Sequence, residues 1–240
     1  MSMFLTLAFL FYIGSSIGWV LELFYRRFFS GANPERKWIN PGFCVGPYIP
    51  LYGVGLCILF LIASLPYNKL VLFPIMAVCM TGIEYIAGIM CIKLCNVRLW
   101  DYSELKGNIQ GIICPQFSII WAAFGAVYYF LVHPHILDAL HWLSDNLAFS
   151  FVIGMFFGFF IVDVVYSSNL VVKLRRFAIE NDVIVRYENL KADIRSRRDA
   201  ANKKPQFLFP FRSELSLIEH LEEVREKLER RPKKKNKNKL

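Results

Sequence analysis

Five stretches of this chain, residues 3–25, 49–66, 70–92, 112–132 and 147–172, stay apolar far longer than a soluble fold requires. A helix rises about 1.5 Å per residue, so crossing a hydrocarbon core about 30 Å thick takes about 20 mostly apolar residues. Within that core every backbone N–H and C=O must be paired inside the protein, which makes helix the structure such a stretch adopts. The sequence therefore predicts an all-α, polytopic membrane helix bundle with about five transmembrane helices, and excludes a simple soluble domain. The second stretch is the shortest, and Pro50, Gly53 and Gly55 at its start predict a bent or partly unwound entry. The first is expected to be a retained span, because residues 1–5 carry no charge and Arg26-Arg27 follows the apolar run, unlike a cleavable leader.

The chain carries 28 Lys and Arg against 19 Asp and Glu, but the excess is confined to one end. Residues 1–172 hold eight of each sign, which leaves 20 basic and 11 acidic residues for 173–240. Two regions follow: a five-span domain over 1–172, and a charged, partly helical tail over 173–240. Cytoplasmic loops are enriched in Lys and Arg. The loop after the first span holds four (Arg26, Arg27, Arg36, Lys37) and that after the third holds three (Lys93, Arg98, Lys106). The loop after the second has Lys69 alone and that after the fourth has none. This alternation places the N-terminus outside and loops 28–48 and 93–111 in the cytosol with the tail. Residues 136–143, with Leu137, Leu140 and Leu143 at helical spacing, are expected as a short helix on the outer surface.

In the tail, Val183, Tyr187, Leu190 and Ile194 fall on one helix face, and Leu217, Leu221, Val224 and Leu228 repeat that spacing beyond Pro205 and Pro210. Residues 230–239 (RRPKKKNKNK) form a basic, disordered terminus suited to anionic lipid, which attracts each nearby Lys or Arg by about 1 kcal/mol. Across the whole tail the basic residues are mixed with 11 acids and lack interleaved aromatic platforms, which argues against nucleic acid.

The informative charges are the three carboxylates inside the apolar segments, Glu22, Glu84 and Asp163, since each costs about 2.5–3.5 kcal/mol to insert and asks for a reason. Glu22 is one turn from Arg26 and can reach the interface or pair with that residue. Glu84 lies nine residues before Lys93, and Asp163 ten before Lys173, or about 13 and 15 Å from the cytosolic edge. No Lys, Arg or His lies within a span. These groups are therefore expected to bond Tyr or Ser, to be reached by a loop cation such as Arg98, or to line a wet pocket that opens inward.

Both cytosolic loops return to the membrane through poorly helical sequence. The first runs from Asn40 through Pro41, Gly42, Gly46, Pro47 and Tyr48 to Pro50 and Gly53; the second passes Trp100, Asp101, Tyr102 and Ser103 to Asn108, Gly111, Pro115 and Gln116. Backbone of this kind is tolerated at membrane depth only where protein buries it or a cavity wets it. Asn, Gly and Pro recur in the same order after Glu22 and after Glu84, which suggests a parallel duplication, a pattern found in transporters with sites at the repeat interface. The expected ligand-binding residues are Glu22, Glu84, Tyr85, Asp163, Asn40, Tyr48, Asp101, Asn108 and Gln116.

Gly18-Trp19 with Glu22, the block from Asn40 to Gly53, Glu84-Tyr85, Trp100-Asp101-Tyr102-Ser103, and Asn108 to Cys114 with Phe117-Ser118 and Trp121 together resemble the ABC-transporter permease family of the CmpB-like, type IV group. The resemblance covers residues 10–163 and implies a small multi-span bacterial membrane protein with a transport role, working with a separate ATPase subunit. The chain departs from the family pattern at Pro41, where Arg is usual, and at Ile49, where Cys is frequent. Loss of that Arg removes a cationic contact for Glu22 or for an anionic substrate.

The chain has no G-x-x-x-x-G-K-[ST] loop, so any ATP dependence needs that partner. H-E-x-x-H and G-x-S-x-G are also missing, His133, His135 and His141 are expected outside, and His220 lies in the tail. No catalytic residue, metal or cofactor is expected. The six cysteines read as small hydrophobes or free thiols. Three functions stay open: a permease with a cytosol-facing polar pocket in the cell membrane; an enzyme on a lipid or lipid-linked substrate using Asp101, Glu104 and Glu84; and a scaffold whose tail recruits a partner. A pore within one copy and a pore between copies of a homo-oligomer are both compatible with so small a bundle.

Overall fold

The computed structural model describes residues 2–30, 33, 35–181, 183–187, 189–192, 194 and 225. It is an all-α membrane bundle: α1 (Met3–Phe28), α2 (Pro50–Ala63), α3 (Lys69–Cys95), α4 (Pro115–Val127), α5 (His133–Asp145) and α6 (Ser150–Glu180), with the two-residue strands β1 (Val97–Arg98) and β2 (Val185–Arg186). The second helical series of the tail, residues 217–228, and the basic terminus 230–239 lie outside the described residues.

Local chemistry sets the helix ends. Ser2 caps α1 by accepting from the Leu5 N–H at 3.3 Å, and Asn68 caps α3 by accepting from the Leu70 N–H at 2.9 Å. Pro50 and Pro115 open α2 and α4, where a missing N–H costs nothing. Asn96 ends α3 in the left-handed region at φ 52°.

Four helical runs are long and apolar enough to cross a membrane: Met3–Phe28, Lys69–Cys95, Pro115–Asp145 and Leu147–Glu180. The expected second span, 49–66, is helical only over the 14 residues Pro50–Ala63, about 21 Å and too short to cross alone. Non-helical residues 40–49 lead into it, so α2 begins beside the middle of α1 rather than at its end. The expected outer-surface helix over 136–143 is instead part of α5, which continues from α4 through a π-helical turn at Tyr128–Val132. Pro134 cannot donate to the preceding turn, and the wider π spacing absorbs that loss without ending the helical run. The buried face of α5 is Ile136, Leu140 and Leu143, which join the main core, while Leu137 faces outward.

α1 and α2 pack antiparallel at very short range. A Cβ on Gly18 would lie 2.2 Å from Tyr52, and one on Gly53 would lie 2.2 Å from Ser15 Oγ. Gly14 and Gly18 form a small-xxx-small pattern, the arrangement that lets membrane helices approach where water supplies no drive between them. α3 and α4 repeat this hairpin, with Gly88 against Ile112 and Gly125 against Met76. Leu10, Leu72, Met76 and Leu143 sit at the centre of the core that joins these helices.

A second core forms where the tail meets the loops. α6 runs past residue 172 to Glu180, and β2 pairs in parallel with β1, Val97 opposite Val185. Val97, Leu174, Phe177, Val185, Tyr187, Leu190 and Ile194 are buried together, with Phe43 and Leu99 against them. The face expected from Tyr187, Leu190 and Ile194 is thus the buried one, and Val183 packs at its margin.

Candidate functional site

Glu84 projects from the middle of α3 and is only 4% exposed. Tyr102 Oη donates to one carboxylate oxygen at 3.0 Å, and Trp121 Nε1 donates to the other at 2.9 Å. Tyr102 is fixed by stacking on Phe117, with centroids 4.4 Å apart. A buried carboxylate that has lost its water requires such donors. Amphipathic aromatic residues supply them without introducing another charge.

Glu22 is the equivalent group on α1. It accepts from Arg26 Nε at 3.0 Å and from Tyr52 Oη at 3.0 Å. The Tyr52 and Trp121 rings lie 5.6 Å apart, so the donor to Glu22 touches the donor to Glu84. The two hairpins therefore meet in one continuous cluster: Arg26, Glu22, Tyr52, Trp121, Glu84, Tyr102. Gly18 makes this geometry accessible, because any side chain there would displace Tyr52 from α1.

Asp163, on α6, belongs to a different group. It accepts from the Val45 N–H at 3.1 Å, the Gly46 N–H at 2.7 Å, Ser167 Oγ at 3.0 Å and the Tyr48 hydroxyl. Its four donors fill its capacity, so it ties the re-entering loop to α6. Tyr48 is held edge-on to Phe156 and Phe160 at 5.6 and 5.3 Å.

Asn40 and Asn108 hold their loops in matching ways. Asn40 Nδ2 donates to the Cys44 and Val45 carbonyls, while its Oδ1 accepts from the Gly42 N–H at 3.1 Å and from Trp19 Nε1 at 2.8 Å. Asn108 Nδ2 donates to the Ser103 and Leu105 carbonyls, and its Oδ1 accepts from the Gly111 N–H at 2.9 Å. Each amide closes a turn and bonds a glycine N–H.

Asp101 is engaged on the surface of the second loop. Arg98 Nη1 lies 3.0 Å from it and Arg186 Nε 3.3 Å. Partial burial pushes its carboxyl up, but the Ser103 hydroxyl and N–H, then Arg98 and Arg186, outweigh this and hold it below the usual range. Arg98 serves Asp101 and the Gln110 carbonyl, and its bonding partners do not include Glu84. Gly111, at φ 67°, leaves room for this cluster, since a Cβ would sit 2.3 Å from Arg98. Glu104 is exposed.

Two expected residues lie apart. Tyr85 follows Glu84 but points to another face of α3, into an apolar groove of about 380 Å³ with Ala77, Thr81, Gly82 and Ser118. Gln116 is exposed on the first turn of α4. The expectation of one shared pocket thus resolves into a Glu22–Glu84 cluster and an Asp163 anchor. The donors Tyr52, Tyr102 and Trp121 were not singled out as site residues; their signal is a hydroxyl or indole N–H beside or within an apolar segment that also carries an acid. Lys191 was also missed. It shares the helix face of Tyr187, Leu190 and Ile194, and a cation on an apolar stripe is itself a signal.

The family model described as "Putative ABC-transporter type IV" matches residues 9–168. The chain belongs to this family. The match takes in Glu22, Glu84 and Asp163 with both loops, and stops before the end of α6. No curated protein and no solved structure matches the chain. Membership in the type IV family agrees with the helical membrane bundle and leaves the segment around β2 outside the matched region.

Proposed function

We propose that this chain is the membrane component of an ABC-type transporter, and that the Glu22–Glu84 cluster receives a cation or cationic solute from the cytosolic side. The observation that carries this reading is Glu84 itself: a carboxylate 4% exposed, with neutral donors at both oxygens and linked to Glu22 through the Trp121–Tyr52 contact. A positive ligand beside these acids would be attracted by both, whereas an anion would be repelled. The tail contacts both basic loops, the second through β1–β2 pairing and the Arg186–Asp101 pair, the first through Lys191 at the Asn40 carbonyl. This supports the orientation with loops and tail in the cytosol of the cell membrane, and the N-terminus outside. Energy coupling would come from a separate ATPase subunit, as the family name suggests, and the basic tail suits anionic lipid at the same face.

Asp163 is assigned the anchoring of the loop over residues 45–48, with Asn40 and Asn108 shaping the backbone around the cluster. The test is cation flux in liposomes carrying the chain together with its co-purified ATPase, read with entrapped pH- and sodium-sensitive dyes. Glu84→Gln should remove flux while the protein remains folded in the membrane. A Glu84→Gln protein with wild-type flux contradicts the proposal.

A further inference from the structure

The tail touches both entry loops at the points that matter for the cluster. Lys191 is 1% exposed, and its Nζ donates to the Asn40 carbonyl at 3.2 Å and to the Gly42 carbonyl at 3.4 Å. It also lies 4.7 Å over the Tyr187 ring, whose hydroxyl approaches the Phe43 carbonyl. A buried ammonium costs several kcal/mol to desolvate, so its bonds with the first loop are strongly directed. Five and six residues earlier the tail grips the second loop: the Val185 N–H donates to the Asn96 carbonyl at 3.0 Å, and Arg186 reaches Asp101.

Each grip leads on to the cluster. From Lys191 the path passes through Asn40 to Trp19, one turn before Glu22 on α1. From Arg186 it passes through Asp101 to the adjacent Tyr102, which donates to Glu84. We infer that the described part of segment 183–194 is a clasp: docked, with Lys191 and Arg186 engaged, it holds both loops closed over the Glu22–Glu84 cluster, and its release opens the cytosolic approach. Lys191 and Arg186 are positioning residues that act through Asn40 and Asp101. The clasp rests on the reading of that cluster as the binding site, and it lies beyond the residues the family match covers.

Native thiols allow a test that does not depend on transport. Cys44, in the first loop, and Cys114, beside Tyr102, are 3% and 2% exposed. Cys57, on α2, donates to the Leu7 carbonyl within the bundle and reports global unfolding. Alkylation of the full chain in nanodiscs by a soluble maleimide, resolved by peptide mass spectrometry, gives three rates in one sample. Burial and the nearby Asp163 charge push the Cys44 thiol up to about 12, so its reaction in the docked state is slow. Lys191→Met should accelerate Cys44 at least about tenfold, and Arg186→Gln should accelerate Cys114 more than Cys44, as expected when local opening is favoured. Cys57 should keep its wild-type rate in both. Wild-type rates at Cys44 and Cys114 in both variants overturn the clasp. Equal acceleration of all three thiols also overturns it, since Lys191 and Arg186 would then only maintain the fold. Arg186 is more than half exposed, so its variant retains the test if Lys191→Met misfolds.

Discussion

The three acids in the apolar segments fall into two groups, and their partners distinguish them. Asp163 bonds backbone N–H groups and hydroxyls to which it is well matched, so removing it leaves buried donors unpaired. Asp163→Ala should lower stability by about 2–4 kcal/mol, read as a fall in Tm for the purified protein. A Tm equal to wild type contradicts the anchoring role. Glu84 instead bonds two side chains, Tyr102 and Trp121, and Glu84→Gln keeps a hydrogen-bonding amide in the same volume, so its loss should appear in flux rather than stability. At Asp101 the folded pKa is depressed, so its contribution to clasp docking is present above the unfolded value of about 3.9 and is lost as pH falls through the lower folded one. Hydrogen exchange of the 183–187 amides, corrected for intrinsic rates, should show constant protection from pH 8 to 5. Protection lost within that window contradicts the pairing. All three intramembrane acids were evident in the sequence because charge in an apolar run is conspicuous; their partners were not, since Tyr52 and Glu22 are 30 residues apart and only helix packing brings them together.

Helices were legible where the apolar run alone decides them. α1, α3 and α6 follow the expected segments, with α6 extended to Glu180 because Lys173, Arg175 and Arg176 do not interrupt helical propensity. α2 falls within the shortest expected stretch, although its length of 14 residues and its depth along α1 were not legible. That depth is set by contact between small residues, Gly14 and Gly18 against Gly53 and Tyr52. Gly18→Ala should therefore cost about 1–3 kcal/mol through overpacking and disturb the Tyr52–Glu22 bond, measured as a lower Tm together with reduced flux. An unchanged Tm contradicts this packing account. The fourth apolar stretch reads as stopping at residue 132, whereas the π turn at Tyr128–Val132 carries the helical run on through Pro134 to Asp145.

At the scale of the molecule, charge counting separated a neutral bundle from a basic tail but did not show that the first part of the tail packs on the loops. That contact depends on Val97 and Val185, 88 residues apart and joined in a two-residue ladder that no periodicity reveals. Deleting 173–240 would remove Leu174 and Phe177 from the second core and Lys191 from the first loop, so that truncation tests folding as much as recruitment of a partner. Deleting only 195–240 spares the described core, and alkylation of Cys44 should match the full chain.

The claim on which the rest depends is that the Glu22–Glu84 cluster binds positive charge, and ligand-dependent melting tests it most directly. A ligand that binds the folded state at 100 times its Kd stabilises by about 2.7 kcal/mol. Purified chain titrated with sodium, potassium or an organic ammonium at constant ionic strength should show a saturable rise in Tm with at least one of them, absent in Glu84→Gln and weakened in Glu22→Gln. The same rise in wild type and Glu84→Gln, or no rise with any cation, would contradict it.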